Sequence, residues 1–147
     1  MPKPVYIICS QGGSEDKNTG LVSLFNVVEK IQIIESPPPA SGQQPPPKTP
    51  TFRTLAVWMR ADSDKPEDEF EFEVALSVPP TDREIVGGTG RFSFTKPLHR
   101  FFLDFFGLPI EGPGTLLVES RIRKVGDKEW LRQSYPIFLE RVQEQTK

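Results

Sequence analysis

The chain has 147 residues, of which 36% are hydrophobic and 26% charged, and its formal net charge is −2. This length suits one globular domain with a core of its own, and the near balance of charge excludes broad electrostatic attraction to nucleic acid or to acidic lipid. One cysteine and one histidine are too few for a tetrahedral zinc site or an internal disulfide.

Cys9 follows an apolar run at residues 5–8, and this run predicts a first strand over residues 4–9. A free cysteine in such a run is typically buried, and its neighbours Ile8 and Ser10 offer no positive charge that would activate the thiol. The run is shorter than the core of a signal peptide, and no stretch approaches the ~18 apolar residues of a membrane span. We therefore expect a soluble, cytoplasmic protein.

Turn and loop signals divide the first half of the chain. Residues 11–20 predict a polar loop that closes in a turn with Asn and Gly, and residues 21–34 return to apolar alternation and predict a second strand. A helical turn at residues 28–30 is an alternative within that stretch. Residues 36–50 contain two blocks of three prolines, which cannot occupy a sheet interior, so we expect a solvated loop that is either a disordered linker or a docking site.

The clearest alternation in the chain lies at residues 70–78, where large apolar residues alternate with glutamate or small residues and predict a half-buried strand. Residues 52–61 are apolar on both faces, which predicts a central strand. The glycines within residues 87–90 interrupt the following strand pattern and predict a bend or bulge. The run 98–106 predicts a strand buried on both faces, with a short helix as the alternative.

A closing hairpin over residues 115–123 and 129–139 completes the count of strands, and no helical interval separates successive strands. We therefore predict an all-β fold, an antiparallel β-sandwich of seven or eight strands. Residues 1–140 form its single domain, with the Pro-rich loop at residues 36–50. Residues 141–147 are predicted to be a charged, frayed tail.

The order of features along the chain adds a family resemblance. A second strand with Phe25-Asn26-Val27 and a Pro-rich stretch come first, and Gly107-Leu108-Pro109 and Pro113-Gly114 precede the closing hairpin. This arrangement resembles a set of bacterial single-domain proteins of unknown function with an immunoglobulin-like sandwich. The resemblance implies a compact immunoglobulin-like fold without known catalytic residues, and it assigns no functional residue to this chain.

The residue types needed for catalysis and for phosphate binding are sparse. His99, the one histidine, lies beside the phenylalanine cluster, where a packed histidine is a better interpretation than a catalytic base. The motif Gly87-Gly88-Thr89-Gly90 lacks the lysine and the helix of a phosphate-binding loop, so a β-bulge is the better interpretation. We expect no enzyme activity and no cofactor.

Acidic side chains in predicted loops suggest an alternative function. Asp16, Asp62 and Asp64 could bind calcium if they converged at one end of the sandwich, because C2-type domains take oxygen ligands from several loops. The alternative is therefore a calcium-dependent, C2-like membrane or ligand-binding domain. The simpler interpretation of these aspartates is that they are solvated turn residues.

Glu69, Glu71 and Glu73 alternate along one strand and should stand on one face of it. This row predicts either a solvated face, with Arg121 and Arg123 as cross-strand partners, or a recognition face for a basic partner.

The phenylalanines of the run 98–106 give the functional hypothesis. Phe101, Phe102, Phe105 and Phe106 cannot all face one side of a strand, so part of this set should form an exposed patch. We therefore expect a non-enzymatic interaction or structural module. Its partner would be an unknown protein or a second copy in a homodimer, with neither nucleic acid nor membrane as a partner.

Overall fold

The computed structural model describes residues 1–35 and 48–143, and every regular element within these residues is a β-strand. The strands in chain order are β1 (Lys3–Glu15), β2 (Val22–Val27), β3 (Lys30–Glu35), β4 (Phe52–Met59), β5 (Phe70–Val78), β6 (Arg83–Phe92), β7 (Leu98–Phe105), β8 (Gly114–Lys124) and β9 (Leu131–Gln143). The all-β class is therefore confirmed, with nine strands in the described residues where the sequence predicted seven or eight.

The strands form two sheets. The four-stranded sheet has the order β2-β1-β4-β7, and the five-stranded sheet has the order β3-β9-β8-β5-β6. Neighbouring strands are antiparallel except β3 and β9, which run parallel. Strands β7 and β6, which follow each other in the chain, thus stand at the ends of different sheets.

The two strands with the clearest sequence patterns form as predicted. In β5, Phe70, Val74 and Leu76 are buried, whereas Glu71 and Glu73 on the opposite face are partly exposed. Strand β4 is apolar on both faces because it lies between β1 and β7 at the centre of its sheet.

The first third of the chain differs from the prediction. Strand β1 continues through Glu15, because the polar residues after Ser10 pair with β2, so the predicted loop at residues 11–20 is shorter. The single strand predicted at residues 21–34 is two strands in different sheets. The chain changes sheets at Val28 and Glu29: the Val28 N–H donates to the Cys9 carbonyl in one sheet, and the Glu29 carbonyl accepts from the Phe138 N–H in the other.

The later segments agree with the prediction except at the chain end. The run at residues 98–106 contains strand β7, so the helical alternative is wrong. Strand β9 continues to Gln143, three residues into the segment predicted as a tail. Most of the Pro-rich loop, residues 36–47, lies outside the described residues, as do residues 144–147.

The end of the Pro-rich loop is part of the packed structure. Lys48 forms an isolated bridge with Pro109, and Thr49 is only 5% exposed. The Thr49 N–H donates to the Leu108 carbonyl, and the Thr49 hydroxyl accepts from the Leu108 N–H. The last residues of the loop are therefore held by hydrogen bonds rather than solvated throughout.

The two sheets share one hydrophobic core. Among its least exposed members are Cys9, Phe52, Ala56 and Trp58 from the four-stranded sheet and Phe70, Leu76, Val118, Ile122 and Ile137 from the five-stranded sheet. Side-chain hydrogen bonds also cross between the sheets: the Trp58 indole N–H donates to Ser120 Oγ at 3.0 Å, and Gln133 Nε2 donates to the Val57 carbonyl at 3.1 Å. Both satisfy polar groups that would otherwise be buried without a partner.

Candidate functional site

Strand β7 is the site that the sequence analysis selected, and it forms one end of the four-stranded sheet. Because side chains alternate across a strand, its phenylalanines divide between two faces. Phe101 and Phe105 are 8% and 5% exposed, whereas Phe102 is 38% exposed and Phe106, directly after the strand, is 76% exposed. The structure therefore brings two of the four predicted interaction residues to the surface and places the other two in the core.

The buried pair packs β7 on two sides: Phe105 lies against β4 of the same sheet, and Phe101 lies against the opposite sheet. The Phe105 ring stacks on Phe52 at a centroid distance of 5.1 Å, and the Phe101 ring lies 4.5 Å from that of Phe72 and 4.9 Å from that of Phe92. Such aromatic pairs contribute beyond their buried area, so Phe101 and Phe105 stabilise the position of β7 rather than offering it to a partner.

His99 belongs to the same aromatic cluster. Its ring stacks on Phe92 at 4.4 Å and lies 4.5 Å from Phe101. Burial lowers the pKa of this imidazole, because the charged form loses solvation among the rings. The environment is that of the packed histidine that the sequence favoured.

A groove of about 470 Å³ opens between β6 and β7, beside the free end of the four-stranded sheet. Its lining includes the aromatic residues Phe72, Phe92, His99 and Phe101, residues Gly88 and Thr89 of β6, and Arg100 and Phe102 of β7. The lining rings are the same ones that pack β7 against β5 and β6. The groove thus borders the aromatic cluster and is continuous with the strand edge.

The outward face of β7 alternates apolar and charged residues. Leu98 is 41% exposed, and it is followed on this face by Arg100, Phe102 and Asp104. The charged members have partners within the same sheet: Arg53 Nε contacts Asp104 Oδ1 at 2.8 Å, and Arg100 Nη1 contacts Glu15 Oε1 at 3.1 Å. The hydrogen bond from Arg53 lowers the pKa of the Asp104 carboxyl.

Sequence reasoning missed Leu98, Arg100 and Asp104 as members of this face. The signal was present, because Leu98, Arg100, Phe102, Asp104 and Phe106 follow one another at a spacing of two. The dense phenylalanines on the other face obscured that period.

The calcium hypothesis required three aspartates to converge, and the structure does not bring them together. Asp16 accepts backbone N–H groups of Asn18 and Thr19 at 2.8 and 3.1 Å, and these hydrogen bonds lower its carboxyl pKa. Asp64 Oδ2 accepts the Ala61 N–H at 2.9 Å. Within residues 1–35 and 48–143, which include Asp62, no three acidic, histidine or cysteine side chains are grouped so that they could hold a metal ion.

The glycines at residues 87–90 serve aromatic packing. The register between β5 and β6 shifts at Gly87, which confirms the predicted bulge. A Cβ atom at Gly87 would lie 2.6 Å from Phe105 Cε1, and one at Gly90 would lie 2.6 Å from Phe72 Cε1. Both glycines therefore admit rings that lie against the strand backbone, and the motif lies within β6 rather than in a loop before a helix.

Two members of the acidic row, Glu71 and Glu73, pair with arginines of β8, as the first of the two sequence interpretations predicted, and Glu69, just before β5, contacts Arg91 of β6. Arg123 contacts Glu71 at 2.7 Å, and Arg121 contacts Glu73 at 3.2 Å and Glu84 at 2.9 Å. The acidic charge on this face is balanced by neighbouring arginines, which removes the basis for a recognition face for basic partners.

Cys9 is a buried free thiol, as predicted. It is 0% exposed and lies 3.3 Å from Thr54 Oγ1. Burial raises the pKa of the thiol to about 11, so it is protonated and unreactive at neutral pH.

No protein-family model and no curated protein matches this chain. Among the described residues there is no helix with the length and apolar character to span a membrane.

Proposed function

We propose that this protein is a non-enzymatic, immunoglobulin-like β-sandwich that works through protein–protein contact at β7, with a second copy of the chain as its partner. The observation that carries the proposal is the exposure of Phe102 and Phe106 at the end of a sheet. Aromatic side chains are enriched at interface cores, and a strand edge with exposed apolar residues is a template for pairing.

The edge lacks the usual protection against association. Natural edge strands are blunted by proline or by charges that stay solvated. Strand β7 contains no proline, and its two outward charges are partly neutralised by Arg53 and Glu15. Without proline and with its charges partly neutralised, this edge is better suited to contact with another chain than to permanent exposure to solvent.

The proposal of a non-enzymatic role is supported by the state of the two side chains best suited to catalysis. His99 is stacked among phenylalanine rings, and Cys9 is buried with a raised pKa. A free buried thiol also suits the proposed cytoplasmic location, where cysteines stay reduced.

The sandwich architecture is inferred from the shared core and from the inter-sheet hydrogen bonds. Two sheets whose inner faces interdigitate over one core are typical of β-sandwiches. We infer a single domain over residues 1–140 on the same basis.

Light scattering tests the function. The wild type should approach the mass of a dimer as concentration rises, and Phe106→Asp should remain monomeric with an unchanged melting temperature. Phe138→Asp is the matched control, because Phe138 on β9 is 51% exposed and lies away from β7. A monomeric wild type at high concentration, or equal loss in both variants, would refute the proposal.

A further inference from the structure

We propose that two copies join by antiparallel pairing of β7 with β7 in one register, with Phe102 of each copy on the two-fold axis. The inference rests on the proposed function and goes further, since it specifies how the partner is bound. It predicts a continuous eight-stranded sheet formed from two four-stranded ones.

The backbone of β7 is oriented for this pairing. Hydrogen-bonded and non-hydrogen-bonded residue pairs alternate along antiparallel strands. The Arg60 N–H donates to the Pro97 carbonyl, and the register continues with Met59 opposite Leu98. The odd-numbered residues of β7 therefore bond to β4, and its even-numbered residues turn their N–H and C=O groups toward the free edge.

No strand within the described residues occupies that edge. Its free backbone groups belong to residues whose side chains lie on the outward face: Leu98, Arg100, Phe102 and Asp104. A second β7 that pairs through these groups keeps its own outward face on the same side, because paired residues in a sheet share a face.

Side-chain complementarity selects the register. With Phe102 opposite Phe102 of the second copy, Arg100 lies opposite Asp104, and Leu98 lies opposite Phe106. Each copy provides both members of each pair, as a two-fold interface requires. Apolar residues then meet apolar residues, and opposite charges meet.

The neighbouring registers lose this match. With Phe101 on the axis, Arg100 would face Phe102, and Asp104 would face Leu98. With Leu103 on the axis, Arg100 would face Phe106, and Asp104 would face Phe102. Both arrangements place charged groups against apolar ones, and such desolvation disfavours a register.

The existing ion pairs extend across the proposed contact. The side chains of Arg100 and Asp104 are 31% and 37% exposed, so each has surface left for a further partner. The contact would create a row of alternating charge: Glu15 and Arg100 from one copy, then Asp104 and Arg53 from the other. Such complementarity sets register and partner choice more than raw affinity.

Cysteine capture tests the register. Directly opposed residues of an antiparallel pair have Cα atoms about 4.5–5.5 Å apart, within the range that a disulfide can bridge. Phe102→Cys should therefore form a disulfide-linked dimer on mild oxidation. Leu98→Cys alone should not, because the two copies of that residue would be about 27 Å apart at ~3.4 Å per residue.

A second variant retains the central phenylalanine. Leu98→Cys/Phe106→Cys in one chain should give dimers linked at both ends of β7, whereas each single variant should give none. The wild type is the background control, since Cys9 is 0% exposed.

The outcomes separate this inference from the proposed function. If light scattering shows a dimer but neither the Phe102→Cys nor the double variant is captured, the register is wrong and the function stands. If the wild type stays monomeric, the proposed function itself fails. A disulfide-linked dimer of the single variant Leu98→Cys would indicate a different pairing of the strands and would overturn the proposed register.

Discussion

Phe70 and Glu71 are adjacent residues with opposite surroundings. Phe70 is 1% exposed in the core, whereas Glu71 lies on the outer face and contacts Arg123. Phe70→Ala should lower the free energy of unfolding by about 3–5 kcal/mol, and Glu71→Ala by under about 1 kcal/mol, because a partly exposed ion pair contributes little. Urea denaturation measures both. Similar losses would mean that the two faces of β5 were assigned incorrectly.

Gly90 is a residue at which the addition of one methyl group should have a large effect on stability. A Cβ atom there would lie 2.6 Å from the Phe72 ring, so Gly90→Ala should destabilise the protein by about 1–3 kcal/mol through overpacking. Gly12→Ala is the control, because its Cβ would meet Phe25 at an ordinary 3.8 Å. Thermal melts compare the two. Adding Phe72→Leu should recover part of the loss at Gly90; no recovery would exclude the ring contact as its cause.

At the scale of elements, the contact between the sheets depends on few polar groups. Ser120 of β8 accepts the Trp58 indole N–H of β4. Ser120→Ala should lower the free energy of unfolding by about 1–3 kcal/mol, because it leaves a buried donor unsatisfied. Ser134→Ala on the exposed face of β9 should change it by under about 0.5 kcal/mol. Chemical denaturation distinguishes them, and an unchanged stability in Ser120→Ala would show that another acceptor replaces the hydroxyl.

Elements with a side-chain period were predictable, and elements defined by backbone pairing were not. Residues 70–78 alternate because one face is buried, so their strand was evident from sequence. The distal half of β1 contains Gly12, Gly13 and Glu15, which bury little, and it is a strand because β2 supplies its hydrogen bonds. The break at Val28 was hidden because apolar residues continue on both sides of it.

The interaction site was half predictable for the same reason. Sequence identified the phenylalanines of β7, but which of them is exposed depends on which face meets the other sheet. Phe101 and Phe105 face the core because their neighbours Ala56 and Phe52 on β4 do. That fact is a property of the assembled sheets and cannot be read from the run itself.

For the whole molecule, the connection between β3 and β4 links the two sheets. Replacing residues 36–47 with a Gly–Ser segment of equal length should change the melting temperature by less than ~5 °C, because these polar, Pro-rich residues offer little apolar surface to a core. Thr49→Val should lower the melting temperature more than the Gly–Ser replacement does, because the valine side chain lacks the hydroxyl that accepts from the Leu108 N–H. Calorimetry compares the two. A larger loss from the Gly–Ser replacement would show that the Pro-rich segment itself packs on the sheets.

The parallel pair of β3 and β9 has a consequence for synthesis on the ribosome. Lys30 pairs with Phe138, so the paired residues are more than 100 positions apart in the sequence. Ile31 and Ile33, 6% and 5% exposed in the folded state, have no strand beside them until residues 138–143 emerge. Contacts so distant in sequence form slowly and leave apolar strands open to other nascent chains. Cotranslational folding of this protein should therefore finish late, when β9 pairs with both β8 and β3 and completes the five-stranded sheet.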